Sequence, residues 1–207
     1  MNKSPLRYPG GKTRACATLH NIILNNFEIN DFTSIVSPFF GGGSFEFYLQ
    51  NLYNFNIIAN DKFTPLYNFW NICKTDNDHL CETLESFLDK ISSTKFTEFR
   101  NNILITSHSF NQAVQYFIIN RCSFSGATLS GGFSNEASKK RFTQSSIDRI
   151  KKLNLEHFTI FNEDFVQFIA DHTTETGLLF LDPPYYLEKG SKLYGNNGDM
   201  HESFDHL

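Results

Sequence analysis

The sequence predicts an α/β fold built on an open sheet, and three observations carry that prediction. Residues 178–181 (Leu-Leu-Phe-Leu) follow Gly177 as an apolar run too short for a helix. Pro183 and Pro184 then stop it, since each lacks a backbone N–H and fixes φ near −65°. Second, residues 33–38 read as a short strand that runs into Phe39-Phe40-Gly41-Gly42-Gly43-Ser44 and then a helical stretch to Asn51. Third, residues 56–61 read as another strand ending in an acid, Asp61, eighteen residues beyond Gly43. In such sheets ligands bind outside the carboxyl ends of the strands.

Taken in order, residues 4–12 (Ser-Pro-Leu-Arg-Tyr-Pro-Gly-Gly-Lys) form a loop holding one aromatic ring and two cations. Gly11-Lys12-Thr13 hints at a phosphate loop, but that pattern requires glycine where Leu6 stands, so a nucleotide triphosphatase is excluded. Residues 13–25 permit a helix. Strand, glycine turn and helix over 33–51 let a backbone approach a nucleotide-like ligand closely. Glu46 occupies the place of the third glycine of the dinucleotide fingerprint, which argues against NAD but not against a nucleoside lacking a pyrophosphate.

Asp61 stands where an acid accepts from ribose hydroxyls, or it caps the segment beginning at Lys62. Between this strand and the next, residues 66–152 are too many for a loop. Helical periodicity runs from 66 to about 100 (Leu80, Leu84, Phe87, Leu88, Ile91), and 112–120 is a further helix candidate. Residues 125–135 are turn-rich and hairpin-like. Residues 157–161 predict a third strand, leading to Asp164 and Phe165. Asp164 either accepts from an adenine amine, with Phe165 beside the ring, or caps a helix over 165–170.

Composition sets outer bounds. The chain has 207 residues, 40% of them hydrophobic, enough for one large core or a core with an inserted lobe. No apolar run approaches the roughly 20 residues that span a membrane, and the start lacks a signal-peptide pattern. Cys16, Cys73, Cys81 and Cys122 are scattered, without zinc spacing, and suit reduced thiols of a cytoplasmic protein. His201 and His206 do not share a helical face, so no metal site is expected.

The formal charge is −4, yet charge is segregated. Residues 1–14 hold Lys3, Arg7, Lys12 and Arg14 with no acid, and 139–152 hold Lys139, Lys140, Arg141, Arg149, Lys151 and Lys152 against Asp148 alone. Such runs are either solvated faces or local phosphate contacts.

Asp182-Pro183-Pro184-Tyr185 suits methyl transfer to an exocyclic amine. The lone pair of an adenine amino nitrogen is delocalised into the ring. The Asp182 carboxylate and the Pro183 carbonyl, accepting its two hydrogens, would localise that pair, while Tyr185 holds the base by stacking. The alternative is a strand-end turn in which Asp182 caps backbone groups.

Residues 5–12, Pro38-Phe39-Phe40-Gly41-Gly42-Gly43-Ser44, Asp61, Asn120-Arg121-Cys122-Ser123-Phe124-Ser125-Gly126 and Asp182-Pro183-Pro184-Tyr185, in that order, resemble the Dam-like (D12 class) adenine-N6 DNA methyltransferases. The resemblance implies a Rossmann-like S-adenosylmethionine-dependent methyltransferase sheet over 1–65 and 153–207. Residues 66–152 would be an inserted helical and hairpin lobe that recognises the DNA target. It implies that Tyr8, Lys12, Phe39, Gly41, Gly43, Asp61, Asp164, Phe165 and Asp182 line the S-adenosylmethionine site. Asp182 through Tyr185 would hold a flipped adenine. Arg7, Asn120, Arg121, Lys139, Lys140 and Arg141 would contact double-stranded DNA, in a restriction–modification or similar setting.

One departure lies at the end. Only 22 residues follow Tyr185, where family members continue through further strands. The expectation is a sheet whose C-terminal strands are missing, with 178–181 at an edge. A partner chain would complete it, as half of a split enzyme, or the chain is a catalytically weak remnant. RNA adenine or a protein amide are the other substrates such a turn serves. Residues 190–201 read as a loop closing over the site, or as a linker.

Overall fold

The computed structural model describes residues 1–8 and 10–184. Tyr185, the 190–201 loop, His201, His206 and the helix expected to begin near 203 lie outside the described residues.

Four parallel strands form one sheet in the order β3-β2-β1-β4. They are β1 (Ser34–Ser37), β2 (Asn56–Asn60), β3 (Phe158–Phe161) and β4 (Gly177–Leu179). Ile35 of β1 pairs with Ile57 on one side and Leu178 on the other, so β1 is central and every residue in it is buried. That double burial is why the strands read as continuous apolar runs. Among the described residues β4 is an edge strand. The chain order reverses between β2 and β4 across β1, which creates a crevice at the carboxyl end of β1.

Helix α1 (Cys16–Asn26) begins later than the sequence suggests, because Lys12–Arg14 form a 3-10 turn first. Helix α2 (Ser44–Tyr53) crosses from β1 to β2 and ends at Asn54, which takes a left-handed φ of 57°. The opening half of the 66–152 segment is three helices: α3 (Thr64–Thr75), α4 (Asn77–Ser86) and α5 (Ser93–Asn102). Pro65 sits in the first turn of α3, where its missing N–H costs nothing, and Ser92 caps α5 by accepting from Lys95 N–H.

Helix α6 (Ser109–Cys122) is buried on nearly all sides. It packs along α3, with the Phe69 and Phe117 rings stacked at 5.5 Å. Phe40, Phe47, Trp70 and Phe158 join loop, α2, α3 and β3 into the same cluster of buried side chains. The core therefore runs without a break from the sheet into the 66–152 segment.

The predicted hairpin over 125–135 is reduced to a single antiparallel bridge, Ser123 to Phe133, beside a 3-10 turn at Phe124–Gly126. Gly126, Gly131 and Gly132 leave few side chains to pair across strands, and such pairs are what stabilise a ladder. Helix α7 (Asn135–Lys140) follows, capped by Ser134, so Lys139 and Lys140 lie in a helical last turn. Helix α8 (Gln144–Lys151) opens on a reciprocal Thr143–Ser146 cap. Helix α9 (Phe165–His172) links β3 to β4. Among the described residues no helix is long and apolar enough to cross a membrane.

Candidate active site

A cavity of about 330 Å³ opens at the carboxyl ends of the strands. Each strand contributes to its wall. The loop after β1 supplies Phe39 through Gly43, β2 ends in Asn60 and Asp61, β3 is followed by Asp164 and Phe165, and β4 by Phe180, Asp182 and Pro184. Tyr8, Gly11 and Lys12 close it from the N-terminal loop.

The glycine loop is shaped by contact as much as by conformation. Gly41 and Gly43 have φ of 52° and 64°, in the left-handed region that favours glycine. A Cβ on Gly41 would lie 2.7 Å from the Tyr8 ring, and one on Gly43 would lie 2.3 Å from the Phe40 ring. The glycines thus admit the Tyr8 and Phe40 rings, both of which line the cavity, against the loop. Trp70 Nε1 donates to the Gly41 carbonyl at 3.0 Å and fixes the loop from behind.

Asp61 is buried, and both its oxygens are oriented by backbone: Gly41 N–H donates to Oδ2 and Phe63 N–H to Oδ1, each at 2.9 Å. The bond to Phe63 N–H closes a turn ahead of α3, whose own N-cap residue is Phe63 and has no side-chain cap, so Asp61 does not cap that helix. Each oxygen keeps a second lone pair for a ligand. Burial pushes the Asp61 carboxyl up to about 6, against the opposing pull of the two N–H groups. Beside it Asn60 donates to the Pro38 and Glu163 carbonyls and accepts from Glu163 N–H, tying together the ends of three strands.

Asp164 does cap its helix, accepting from Val166 N–H at 3.1 Å through Oδ1, while Oδ2 meets the Lys62 ammonium at 2.8 Å. Lys62 first, then that N–H, hold its carboxyl below the usual range. The Phe39 and Phe165 rings lie 5.3 Å apart, inclined by 39°, and form an aromatic wall.

At the opposite end Lys12 Nζ meets Asp182 Oδ2 at 2.5 Å and also donates to the Gly10 carbonyl. The Asp182 carboxylate is thus drawn to the hollow beside the glycine loop. Phe180 seats the strand end against Phe45 at 4.8 Å. Tyr185 lies outside the described residues.

Several lining residues carry no local sequence signal as chemical groups: Glu46, Asn60, Lys62, Phe63 and Tyr116. In the sequence Glu46 stands out only as the residue in a glycine's place. Its neighbours are set by the β1–α2 crossover, which no local pattern reveals.

The six residues expected at DNA divide into two groups. Lys139, Lys140 and Arg141 are exposed, with Lys140 bridged to Glu136 at 3.0 Å. Asn120 is 0% and Arg121 7% exposed. Asn120 accepts from Arg7 N–H and donates to the Arg7 and Gly126 carbonyls. Arg121 donates to the carbonyls of Arg141 and Pro5. Its guanidinium is lowered to about 10, chiefly by burial, then by Arg149, Arg7 and Arg141. These two side chains clamp the N-terminal segment onto α6. Arg7 lies between the groups, partly exposed, donating to the Ser123 carbonyl at 3.1 Å.

A family model described as D12 class N6 adenine-specific DNA methyltransferase matches residues 8–207. The chain is also 23% identical over 198 residues to the type II methyltransferase M.MjaIII of Methanocaldococcus jannaschii, an alignment covering 87% of this chain and 68% of that protein.

Proposed function

Since the chain belongs to the D12 class N6 adenine-specific DNA methyltransferase family, we propose that the cavity at the strand ends holds S-adenosylmethionine beside an adenine extruded from double-stranded DNA. The observation that carries this reading is the position of Asp182, on the same hollow as the glycine loop and Asp61.

The residues suit that cofactor. An adenine needs flat apolar walls and an acceptor for its amine, which Phe39, Phe165 and Asp164 offer. A ribose needs a fixed acceptor, and Asp61 is oriented by two N–H groups with lone pairs to spare. Tyr8, Gly41 and Gly43 build the loop between them. S-adenosylmethionine supplies, when bound, a methyl group made electrophilic by its sulfonium.

The chain's own work is positioning and electrostatics. Asp182 and the Pro183 carbonyl accept the two hydrogens of the target amine and turn its lone pair out of conjugation. Lys12 holds the Asp182 carboxylate in place. Pro183 and Pro184 stiffen the turn, and Tyr185 supplies the stacking face for the flipped base. No covalent enzyme intermediate is required.

DNA reaches the site across the face carrying Lys139, Lys140 and Arg141, with Arg7 nearer the cavity. Asn120 and Arg121 contribute indirectly, by holding Arg7 and the 123–126 turn.

The test is transfer of a labelled methyl group to DNA, with RNA and protein as parallel acceptors. Asp182→Ala is expected to lose transfer to DNA while melting near the wild-type temperature, which shows that the variant is folded. Undiminished transfer by that variant, or transfer to RNA or protein instead, overturns the reading.

A further inference from the structure

We infer that Glu46 is the acceptor for the α-ammonium group of the bound cofactor, an assignment that rests on the S-adenosylmethionine reading above. Glu46 lies in the first turn of α2, is 3% exposed, and lines the cavity between the glycine loop and Asp182. A carboxylate so deeply placed is costly unless something cationic faces it. Among the described residues it makes no ion pair. Its one side-chain partner is neutral: the Ser37 hydroxyl donates to Oε1 at 2.6 Å.

Three elements present groups to Glu46. Ser37 comes from the end of β1, Cys16 from α1, and Asp182 from beyond β4. Lys12, the nearby cation of the cavity wall, is turned to Asp182. Burial, with a smaller push from Asp182 and against the pull of Ser37 and the helix N–H groups, raises the Glu46 carboxyl to about 7. The group is therefore poised to give up its proton when a positive charge arrives beside it.

The order of acids across the sheet says which positive charge that is. Asp164 follows β3, Asp61 follows β2, Glu46 stands on the helix leaving β1, and Asp182 follows β4. Neighbouring strands lie roughly 5 Å apart. A molecule with adenine at Asp164 and ribose at Asp61 lays its amino-acid tail at the next step, over β1. The tail's ammonium would then meet Glu46, and the sulfonium, which joins ribose to tail, would turn its methyl group toward the Asp182 side of the hollow.

Calorimetry on the full chain with two ligands tests this. S-adenosylhomocysteine keeps the α-ammonium and has no sulfonium; 5′-methylthioadenosine keeps the adenosine and lacks the amino-acid tail. Glu46→Gln is expected to weaken S-adenosylhomocysteine by about tenfold or more, as expected for losing one charge-assisted bond, and to leave 5′-methylthioadenosine unchanged. Unchanged binding of 5′-methylthioadenosine also shows that the variant is folded. In the wild-type chain, S-adenosylhomocysteine binding near about pH 6.5 releases a proton, read as an enthalpy that varies with the buffer's ionisation heat. Asp61, raised to about 6 beside the ribose, contributes alike with both ligands, so it is the excess release with S-adenosylhomocysteine over 5′-methylthioadenosine that disappears in Glu46→Gln. Equal weakening of both ligands, or no weakening of either, overturns the role of Glu46 while leaving the cofactor reading intact. If the wild-type chain binds neither ligand, the cofactor reading falls and this assignment with it.

Discussion

The Lys12 ammonium and the Asp182 carboxylate meet at 2.5 Å, joining the N-terminal glycine loop to the turn beyond β4 across 170 residues of chain. Both side chains are roughly a quarter exposed, at 22% and 27%. A pair so placed contributes at most about 1 kcal/mol to stability, so its value lies in orientation. Lys12→Met is expected to melt within about 4 °C of wild type, the shift that about 1 kcal/mol produces in a chain of this size. Its methyl transfer should fall about tenfold or more, as one positioned catalytic contact loses its hold. Thermal denaturation alongside labelled-methyl incorporation reads both quantities; a large melting shift with normal turnover would show the pair to be structural.

The aromatic wall gives a second expectation. Phe165→Ala removes one of two rings that stand 5.3 Å apart at the Asp164 end. Stacking of a base on an aromatic side chain contributes about 1–3 kcal/mol, so S-adenosylhomocysteine should bind at least about fivefold more weakly. Equilibrium dialysis checks this, with Val166→Ala, on the neighbouring exposed side chain, as the control.

A third concerns the basic face. Replacing Lys139, Lys140 and Arg141 together by alanine leaves the Arg121 clamp intact, because Arg121 bonds the backbone carbonyl of Arg141. DNA affinity should fall, and the slope of log affinity against log salt should shrink by about 2–3, one unit per lost phosphate contact. Melting temperature should stay near wild type. An unchanged slope would remove this face from the DNA path.

Asn120→Ala should behave in the opposite way. Three hydrogen bonds in a fully buried position disappear, leaving the Arg7 N–H and two carbonyls without partners. The expected loss is about 2–4 kcal/mol of stability. Denaturant unfolding measures it. A variant as stable as wild type but defective in DNA binding would return Asn120 to the recognition surface.

The pH dependence of stability follows from two buried acids. The Glu46 carboxyl is raised from 4.5 to about 7 in the folded chain, and that of Asp61 from 3.8 to about 6. Over those intervals the folded state binds more protons than the unfolded state, so stability is greatest at the acid end and falls as pH rises through the folded values. For Glu46 the interval corresponds to about 3 kcal/mol. Denaturant midpoints taken from about pH 5 to about pH 8 should decline for wild type, and for Glu46→Gln should decline less and level off above about pH 6, where only Asp61 had contributed. A wild-type curve that rises over that range would contradict both assignments.

What the chain's local patterns determined is the class of fold and the set of strand ends. Apolar runs at 33–38, 56–61, 157–161 and 178–181 are legible because a parallel strand buried on both faces needs apolar residues at nearly every place. The acids and glycines that end them are legible because turns and close approach demand those residue types. Asp61 and Asp164 could be named as ligand acceptors or as caps; Asp164 caps α9, Asp61 closes a turn on Phe63 N–H without capping α3, and both bonds leave acceptor capacity unused.

Tertiary structure alone decided the rest. Whether Arg121 faces phosphate or backbone depends on the Pro5 and Arg141 carbonyls, 116 and 20 residues away along the chain. The partnership of Lys12 with Asp182, and of Glu46 with Ser37, depends on how the crossovers return each strand to the sheet. Periodicity reports which face of an element is apolar. Charge partners and desolvation are set by distances between elements, and those exist only after the chain has packed.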